Sequence, residues 1–463
     1  MSAQTTTTAT TASRGRRRKI FFTISKHWWR AAFKSKLWTV GVTPRREIFA
    51  RELRLAFEEL GPAFIKLGQL ISIRPDMFAP QYVFEMENLR DSVTPTPFEE
   101  MKPVFEAELG KTAEQLFQSI DPVPIGSASI AQVYKAKLAF DYQPVMGDPM
   151  PAGTELAVKM VRPGSEEKIR ADIAAVRPLV NAIHKLRPLK RFNVPQLLQE
   201  FADSITSEID LRNEGKTSDR FAFDFVDDPY VTTASIVWPQ TSKSILTMQF
   251  VDGWHLHQSE EATAAGVDAR FLAIHGADVF MKQVMVVGRF HADMHQSNLL
   301  LTRDGKICYI DFGIMGEVKE EHKEAIAQIL AATVYADAKR AIQYSADIGL
   351  IVRDSEREEV IGKVSQLMKR TFSKTPRDVR GFAIGFLSIL NEQRVVVPRG
   401  FGLLVKALVV VEGCAQTVYK DIDIVEAAEG FTTELVLKHM MRPSRLYKKI
   451  PLAMDAAINE LIG

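Results

Sequence analysis

The sequence predicts an α+β chain in three parts: an N-terminal helical block, a small mixed α/β lobe and a large, mostly helical C-terminal lobe. Three observations predict it. From Arg46 to about Ser72, apolar residues recur at three- and four-residue steps. Near residues 130–162 the pattern turns to alternation, preceded by small residues and closed by Pro163 and Gly164. After about residue 265 helical periodicity dominates, interrupted by strands at 298–302 and 306–310 around "RDGK".

Composition sets the outer bounds. The 463 residues are 25% charged and 46% apolar, enough apolar mass for two or three domains or lobes. Two distant cysteines, Cys308 and Cys414, argue against a disulfide framework and for a reducing compartment. No uncharged apolar run approaches the ~18 residues of a membrane span, so the body reads as soluble. The chain carries a formal charge of +2, yet residues 1–46 hold eleven Lys or Arg and no Asp or Glu; the remainder is therefore net acidic.

Residues 1–45 form a segment of their own. The start, "MSAQTTTTATTAS", is low-complexity and polar, and is expected to be disordered. "RGRRRK" and "IFFTISKHWWRAAFKSKLW" follow, mixing cations with Phe21, Phe22, Trp28, Trp29, Phe33 and Trp38. Cations and indole rings together suit a membrane-surface helix. A docked arm and an organelle transit peptide are the alternatives. Nucleic-acid binding has no fold-level support.

The body is read in order. Residues 46–120 are a helical extension, with shorter helices near 79–90 and 97–109. Residues 121–250 are the small lobe, with a strand near Ile130–Tyr134, a second in "TELAVKMV", long helices at about 165–186 and 195–222, and strand-like pieces at 229–237 and 243–250. "VDGW" reads as a hinge. Residues 251–440 are the large lobe and 441–463 a tail.

"FHADMHQSNLLLTRDGKICYIDFG" carries the strongest chemistry. Asp293 precedes Asn298 by five residues, and Asp311 follows a strand–turn–strand. That is the arrangement of a protein-kinase catalytic centre: Asp293 as base, Asn298 and Asp311 as oxygen ligands for Mg²⁺ beside the phosphates. His291 and His295 lie in the same loop and read as bracing residues. Lys159 in "LAVKM" matches the strand lysine that holds the α/β-phosphates. The expected phosphate-covering loop spans Ile125 to Val133, with Gly126, Ser127, Ala128 and Ser129 at its tip; three of these four carry a Cβ, so the loop has less freedom than a glycine-rich one. Two G-K-T triplets, at 110–112 and 215–217, lack the earlier glycine of a P-loop. Ala292 replaces the arginine of H-R-D. Soon after "DFG" the chain enters "EVKEEHKEAIAQIL", with no activation segment. The fold read from these motifs is bilobal and protein-kinase-like.

These residues closely resemble the UbiB/ADCK family of atypical protein-kinase-like proteins, the bacterial UbiB branch most of all. The resemblance runs from about Glu52 to Val418 and rests on "KLGQ" with "RPDMFAP", "SASIAQV", "AVKM", "SEIDLRNE", "FHADMHxxN" and "DFG". It implies an atypical kinase or ATPase that binds ATP or ADP with Mg²⁺ and supports ubiquinone or related isoprenoid quinone biosynthesis. Typical protein-substrate phosphorylation is not expected. It implies membrane lipids and quinone-pathway intermediates or enzymes as partners, and no nucleic acid. The implied location is peripheral, on the cytoplasmic face of a bacterial inner membrane, or on the matrix side in a mitochondrion. The alternatives are a nucleotide-gated lipid-binding and extraction protein that makes no phosphorylated product, and a small-molecule kinase.

By the same resemblance, Glu214 is the partner of Lys159. Lys66 and Gln69 form an occluding plug that engages Glu208 and Asp210. On an ideal helix Asp210 and Glu214 share a face, whereas Glu208 points roughly 200° away from Asp210 at ~100° per residue. An irregular helix is one way for both to reach Lys66. Two departures stand out. Tyr134 occupies a position usually held by His, and "QSN" replaces "PGN" ahead of the metal asparagine.

Overall fold

A computed structural model of the chain describes residues 3–38, 42–72, 74, 78–89, 93–184, 194–373, 375–393 and 395–426. The tail at 441–463 and Pro75, Asp76 and Met77 of "RPDMFAP" lie outside them. The chain divides into two compact units, Met1–Gly253 with Cys308–Gly313, and Trp254–Ile307 with Ile314–Gly463.

The first unit opens with five helical segments: α1 (Ala3–Trp38), α2 (Val42–Leu60), α3 (Pro62–Ser72), α4 (Pro80–Met86) and α5 (Phe98–Met101). The start expected to be disordered falls within α1, which begins at Ala3. Extension adds one hydrogen bond per residue fixed, so a helix nucleated by docked residues further on can run back through a polar stretch that has no proline. Nor is 46–72 one helix. Gly61 sits at φ +95° and Pro62 takes the first position of α3, so the chain stops and restarts there.

Next come α6 (Pro103–Leu109) and α7 (Ala113–Leu116). The first G-K-T triplet falls between them. Gly110, at φ +66°, closes α6, and Thr112 opens α7 through a capping box with Gln115. The triplet marks a helix stop and start. The second lies inside a helix described below.

An antiparallel sheet follows, in the order β1 (Phe117–Ser127), β2 (Ala131–Leu138), β3 (Glu155–Val161) and β5 (Ile245–Gln249), with β4 (Val231–Thr233) outside it. Alternation along β2 and β3 sends Tyr134, Leu156, Val158 and Met160 to one face. There they pack with Phe98, Met101 and Phe105 in the core of the unit. Tyr134 is fully buried against Phe98, ring centroids 5.1 Å apart, and its hydroxyl accepts from Gln132 at 2.6 Å. The departure from His at this position is thus a core substitution.

Helices α8 (Ser165–His184), α9 (Val194–Ile209) and α10 (Leu211–Asp224) are inserted between β3 and β4. The expected helix at 195–222 is broken at Asp210, which leaves the helical region at ψ 90° and caps α10 through the Arg212 N–H.

The second unit begins in "VDGW", at the end of β6's first residue (β6, Gly253–His255). It continues with α11 (Ser259–Ala264), α12 (Ala269–Lys282) and a π-helical turn, Gln283–Val287, ended by Gly288 at φ +78°. Strands β7 (Arg289–His291) and β8 (Leu299–Thr302) follow. Then β9 (Ile307–Tyr309) carries the chain into Cys308–Gly313. β10 (Met315–Glu317) pairs antiparallel with β7, His291 opposite Met315. The rest is helical: α13 (Glu320–Val334), α14 (Ala338–Ser345), α15 (Asp354–Phe372), α16 (Val379–Glu392) and α17 (Arg399–Val418). Gly400–Val418 is long and apolar enough to cross a membrane by length and composition, but most of it is buried against protein.

Candidate nucleotide site

The sheet of the first unit builds a row of side chains on the face away from its core. Gly126 pairs with Val133, Val133 with Lys159, and Lys159 with Leu246. Register alone therefore brings the loop tip and the strand lysine onto one surface. The loop closes as a tight hairpin, Ala128 N–H donating to the Ala131 carbonyl at 2.9 Å.

That hairpin is held by residues the sequence reading passed over. The Arg162 guanidinium donates to the Ser127 hydroxyl at 2.7 Å and the Ala128 carbonyl at 3.1 Å. It also reaches the Thr94 carbonyl and Thr96 hydroxyl at 3.0 Å. The Ser127 hydroxyl in turn donates to the Val93 carbonyl at 2.8 Å. The segment at 93–96 thus lies along the loop and ties it down. Buried Gln132 adds a bond to the Thr96 carbonyl at 3.1 Å. These fixed partners supply the rigidity that the glycine-poor sequence calls for.

Helix α10 brings in Glu214. Its neighbour Gly215 is buried, and a Cβ there would stand 3.1 Å from Leu246 and 3.2 Å from Trp238, so the glycine allows the helix to lie close to β5. Lys159 Nζ donates to both Glu214 oxygens, at 2.7 and 2.8 Å, and lies 3.4 Å from Asp311 Oδ2. Burial alone would lower the Lys159 pKa, but Asp311 and Glu214 outweigh it and hold the ammonium above the ordinary lysine value. Burial, with Asp311 adding to it, pushes Glu214 up to about 7 against the pull of Lys159. Asp311 is fixed by its own turn, Oδ1 accepting from the Gly313 N–H at 2.8 Å. Phe312 packs on Phe221 of α10 at 5.2 Å, which joins "DFG" to the helix carrying Glu214.

The plug residues are in the same unit. Lys66, on α3, makes an ion pair with Glu208, the second-last residue of α9. Asp210 instead pairs with Arg212 at 2.6 Å, and Arg212 first of all holds its carboxyl below the usual range. The helix break thus separates the two acids: Glu208 faces Lys66, Asp210 is a cap. Glu208 also acts electrostatically on both Lys159 and Glu214. Gln69 is half-buried, and its side chain makes no hydrogen bond among the described residues. Between them, buried Gly68 is a packing residue, since a Cβ there would fall 2.1 Å from Leu89.

In the second unit the catalytic loop closes on itself. The His295 N–H donates to the Asp293 carbonyl at 2.9 Å, and the Asn298 N–H to the His295 carbonyl at 2.9 Å. Asn298 Nδ2 donates to the Asp293 carbonyl at 3.1 Å, which leaves its Oδ1 without a hydrogen bond among the described residues and open to accept one. No residue here needs a positive φ, so "QSN" makes the turn without Pro or Gly. Gln296 adds a bond to Thr417 at 2.6 Å. His291 is buried, its Nδ1 accepting from the Asp293 N–H at 3.2 Å and its N–H donating to Gln283 at 2.8 Å. It braces the loop as expected. The Cys414 thiol, kept protonated by burial that pushes it up to about 12, donates to the Met294 carbonyl at 3.0 Å. One charged group escaped the sequence reading: Lys406 of α17, buried, lies beside Asp293.

Only Ile314–Lys319 separate Gly313 from α13. That is too short for the segment on which protein kinases hold peptides. Asn298 in the second unit has an amide oxygen and Asp311 in the first a carboxylate, each a donor of the kind Mg²⁺ takes. No cluster of three His, Cys, Asp or Glu able to hold a metal occurs among the described residues.

Comparison with known proteins agrees with the geometry. The ABC1 atypical kinase-like domain matches residues 88–345. The chain is 32% identical over 368 residues to the Arabidopsis thaliana protein Activity of BC1 Complex Kinase 3, chloroplastic, covering 79% of this chain and 50% of that one. It is 29% identical over 405 residues to the probable protein kinase UbiB of Marinobacter nauticus, covering 86% and 72%. It thus spans about half the length of the first relative and most of the second. The solved Rv3197–erythromycin complex from Mycobacterium tuberculosis superposes with a TM-score of 0.52 at 19% identity, over 82% of this chain and 94% of that one, a likeness of fold.

Proposed function

Since the chain belongs to the ABC1 atypical kinase-like family, we propose that it is an atypical kinase or ATPase that binds Mg²⁺–ATP and supports isoprenoid quinone biosynthesis at a membrane surface. The observation that carries this reading is the Lys159–Glu214 pair with Asp311 beside it. Three charged groups are gathered, and the ammonium is held protonated, as an anionic phosphate ligand requires.

Each residue then has a task. Lys159, steadied by Glu214, neutralises the α/β-phosphates. The hairpin at 125–133, fixed by Arg162, covers them with backbone N–H groups. Asn298 Oδ1 and Asp311 are the proposed oxygen donors for Mg²⁺, which would supply charge neutralisation at the transferring phosphoryl group. Asp293 takes the proton of the attacking hydroxyl: the new P–O bond forms, the bond to the leaving ADP oxygen breaks, and ADP leaves with the electron pair. With water as acceptor the products are ADP and phosphate; with a hydroxylated small molecule they are ADP and its phosphate ester. The short stretch after Gly313 favours small acceptors or water over peptides. Lipidic quinone intermediates and the enzymes that handle them are the proposed partners.

The test is Mg²⁺-dependent ATP turnover by the parent and by Asp311→Asn, with quinone profiling of a deletion strain rescued by each. Loss of both turnover and rescue in Asp311→Asn is expected. Turnover by that variant at the parent rate would overturn the reading. Rescue without turnover would replace it with a nucleotide-gated binding role.

A further inference from the structure

α1 has two unlike faces. The inner face is fastened to the first unit. Ile20, Thr23, His27, Ala31 and Ser35 are buried. The Arg16 guanidinium donates to the Asp172 carboxylate of α8 at 2.7 Å and to the Leu60 carbonyl at 2.8 Å. His27 Nδ1 lies 2.7 Å from Glu52, and Lys26 and Lys34 pair with Glu59 and Glu52 at 2.5 Å.

The outer face carries Phe21, Phe22, Trp28, Trp29 and Phe33, each 52–69% exposed. At ~100° per residue these five fall within an arc of roughly 140°, opposite the buried five. Exposed Arg17, Arg18, Lys19 and Arg30 stand among and beside them, and no ion pair among the described residues engages these four. The sequence holds no acidic residue before Glu47. Five large aromatic rings in one exposed stripe exceed the scattered apolar residues of an ordinary surface.

We propose that this outer face is the docking surface for an anionic lipid bilayer, with α1 lying in the plane of the interface, its rings at headgroup depth and its free cations on lipid phosphates. The inference deepens the membrane placement proposed above and rests on it; it is independent of the nucleotide chemistry. Charge selects the occupant. A second copy would bring the same cations against themselves across a two-fold axis, whereas an anionic headgroup layer complements them. The fastened inner face sets the depth. α1 cannot pass through hydrocarbon while one side is bound to α2 and α8 by buried side chains and ion pairs, and its cations would be costly at the bilayer centre. Aromatic rings over cations on a helix tethered from behind is an interfacial arrangement.

The test is co-flotation of the full chain with phosphatidylcholine vesicles, with and without phosphatidylglycerol. The variant is Phe22→Ala/Trp29→Ala/Phe33→Ala, outer-face positions that leave the fastening residues intact. The parent is expected to float with the anionic vesicles and poorly with the neutral ones. The triple variant should bind them about tenfold or more weakly, while binding ATP in vesicle-free solution as the parent does. Arg17→Glu/Arg18→Glu/Lys19→Glu should lose the preference for phosphatidylglycerol. If the parent floats and the aromatic variant floats equally, the membrane placement stands and this surface falls. If the parent floats with neither vesicle, or dimerises in proportion to concentration and buries the same rings, both fall.

Discussion

Lys406 Nζ lies 3.5 Å from Asp293 Oδ1, on a side chain only 6% exposed. An ammonium buried in an apolar helix costs several kcal/mol unless nearby charge offsets it. Here one offsetting charge is the proposed catalytic base. α17 therefore delivers a cation to the catalytic loop from more than a hundred residues downstream. Lys406→Met preserves apolar volume and removes the charge. ATP turnover should fall roughly tenfold to a hundredfold in kcat, about 1.4–2.7 kcal/mol, with KM for ATP little changed. Lys406→Arg should recover part of kcat. Equal losses in both variants, or a loss confined to KM, would make Lys406 a packing residue.

The Lys66–Glu208 pair gives a second outcome. Lys66→Ala leaves Glu208 uncompensated within electrostatic reach of Lys159 and Glu214, where the phosphates are expected. ATP affinity should drop about tenfold, ~1.4 kcal/mol. Lys66→Ala/Glu208→Gln should restore most of it, a non-additivity that calorimetric titration can read. Unchanged affinity in a folded Lys66→Ala protein would leave the plug without a nucleotide role.

Gly68 tests packing in the same motif. A Cβ there meets Leu89 at 2.1 Å, Phe57 at 3.1 Å and Met86 at 3.2 Å. Gly68→Ala should destabilise the first unit by about 1–3 kcal/mol, the usual cost of overpacking. Leu89→Val should relieve part of it. Thermal unfolding of the two single variants and the double variant decides.

Glu412 sets a pH dependence. Its carboxylate accepts the N–H groups of Val379 at 3.1 Å and Arg380 at 2.9 Å at the start of α16. Burial pushes its pKa from 4.5 up to about 7, against the pull of those bonds. A group raised on folding contributes stability that is present below 4.5 and lost as pH rises through about 7. Glu412→Gln cannot ionise. Its unfolding free energy relative to the parent should therefore improve between about pH 5 and pH 8, by on the order of 3 kcal/mol at most. A constant difference across that range would remove Glu412 as the titrating group.

Much of this was legible in the sequence, for physical reasons. Lys159, Asp293, Asn298 and Asp311 sit in strands and a turn whose local pattern fixes their register. The Lys159–Glu214 and Lys66–Glu208 pairs form as the family resemblance implied. Tertiary partners were harder to see. β1 was not foreseen as a strand: Asp121, Pro122 and Pro124 interrupt its alternation, and its pairing with β2 shifts register at those places. Gly61 was absorbed into an apolar period that continues across it. Arg162 lies just past the end of β3, where a charge ordinarily marks solvent. Lys406 was hidden in "FGLLVKALVVVEG", although a lone lysine in such an apolar run calls for a nearby offsetting charge. An irregular helix near residue 210 was one of the expected ways for both acids to reach Lys66; the helix is broken there, yet only Glu208 makes that pair. Which one takes Lys66 depends on the Asp210–Arg212 cap, a choice of backbone that helical periodicity does not contain.

That cap has a consequence for how relatives are compared. Because α9 ends at Ile209 and α10 starts at Leu211, the interval from Glu208 to Glu214 is no longer governed by one helical period. A residue gained or lost inside either helix turns everything beyond it by ~100°, whereas the joint at Asp210 can absorb some change. Aligned relatives should therefore place their gaps at this joint, and one that loses the capping acid should also re-aim one of the two carboxylates. The joint at Asp210 is thus the single position at which the two lysine–glutamate pairs can be re-aimed independently of one another.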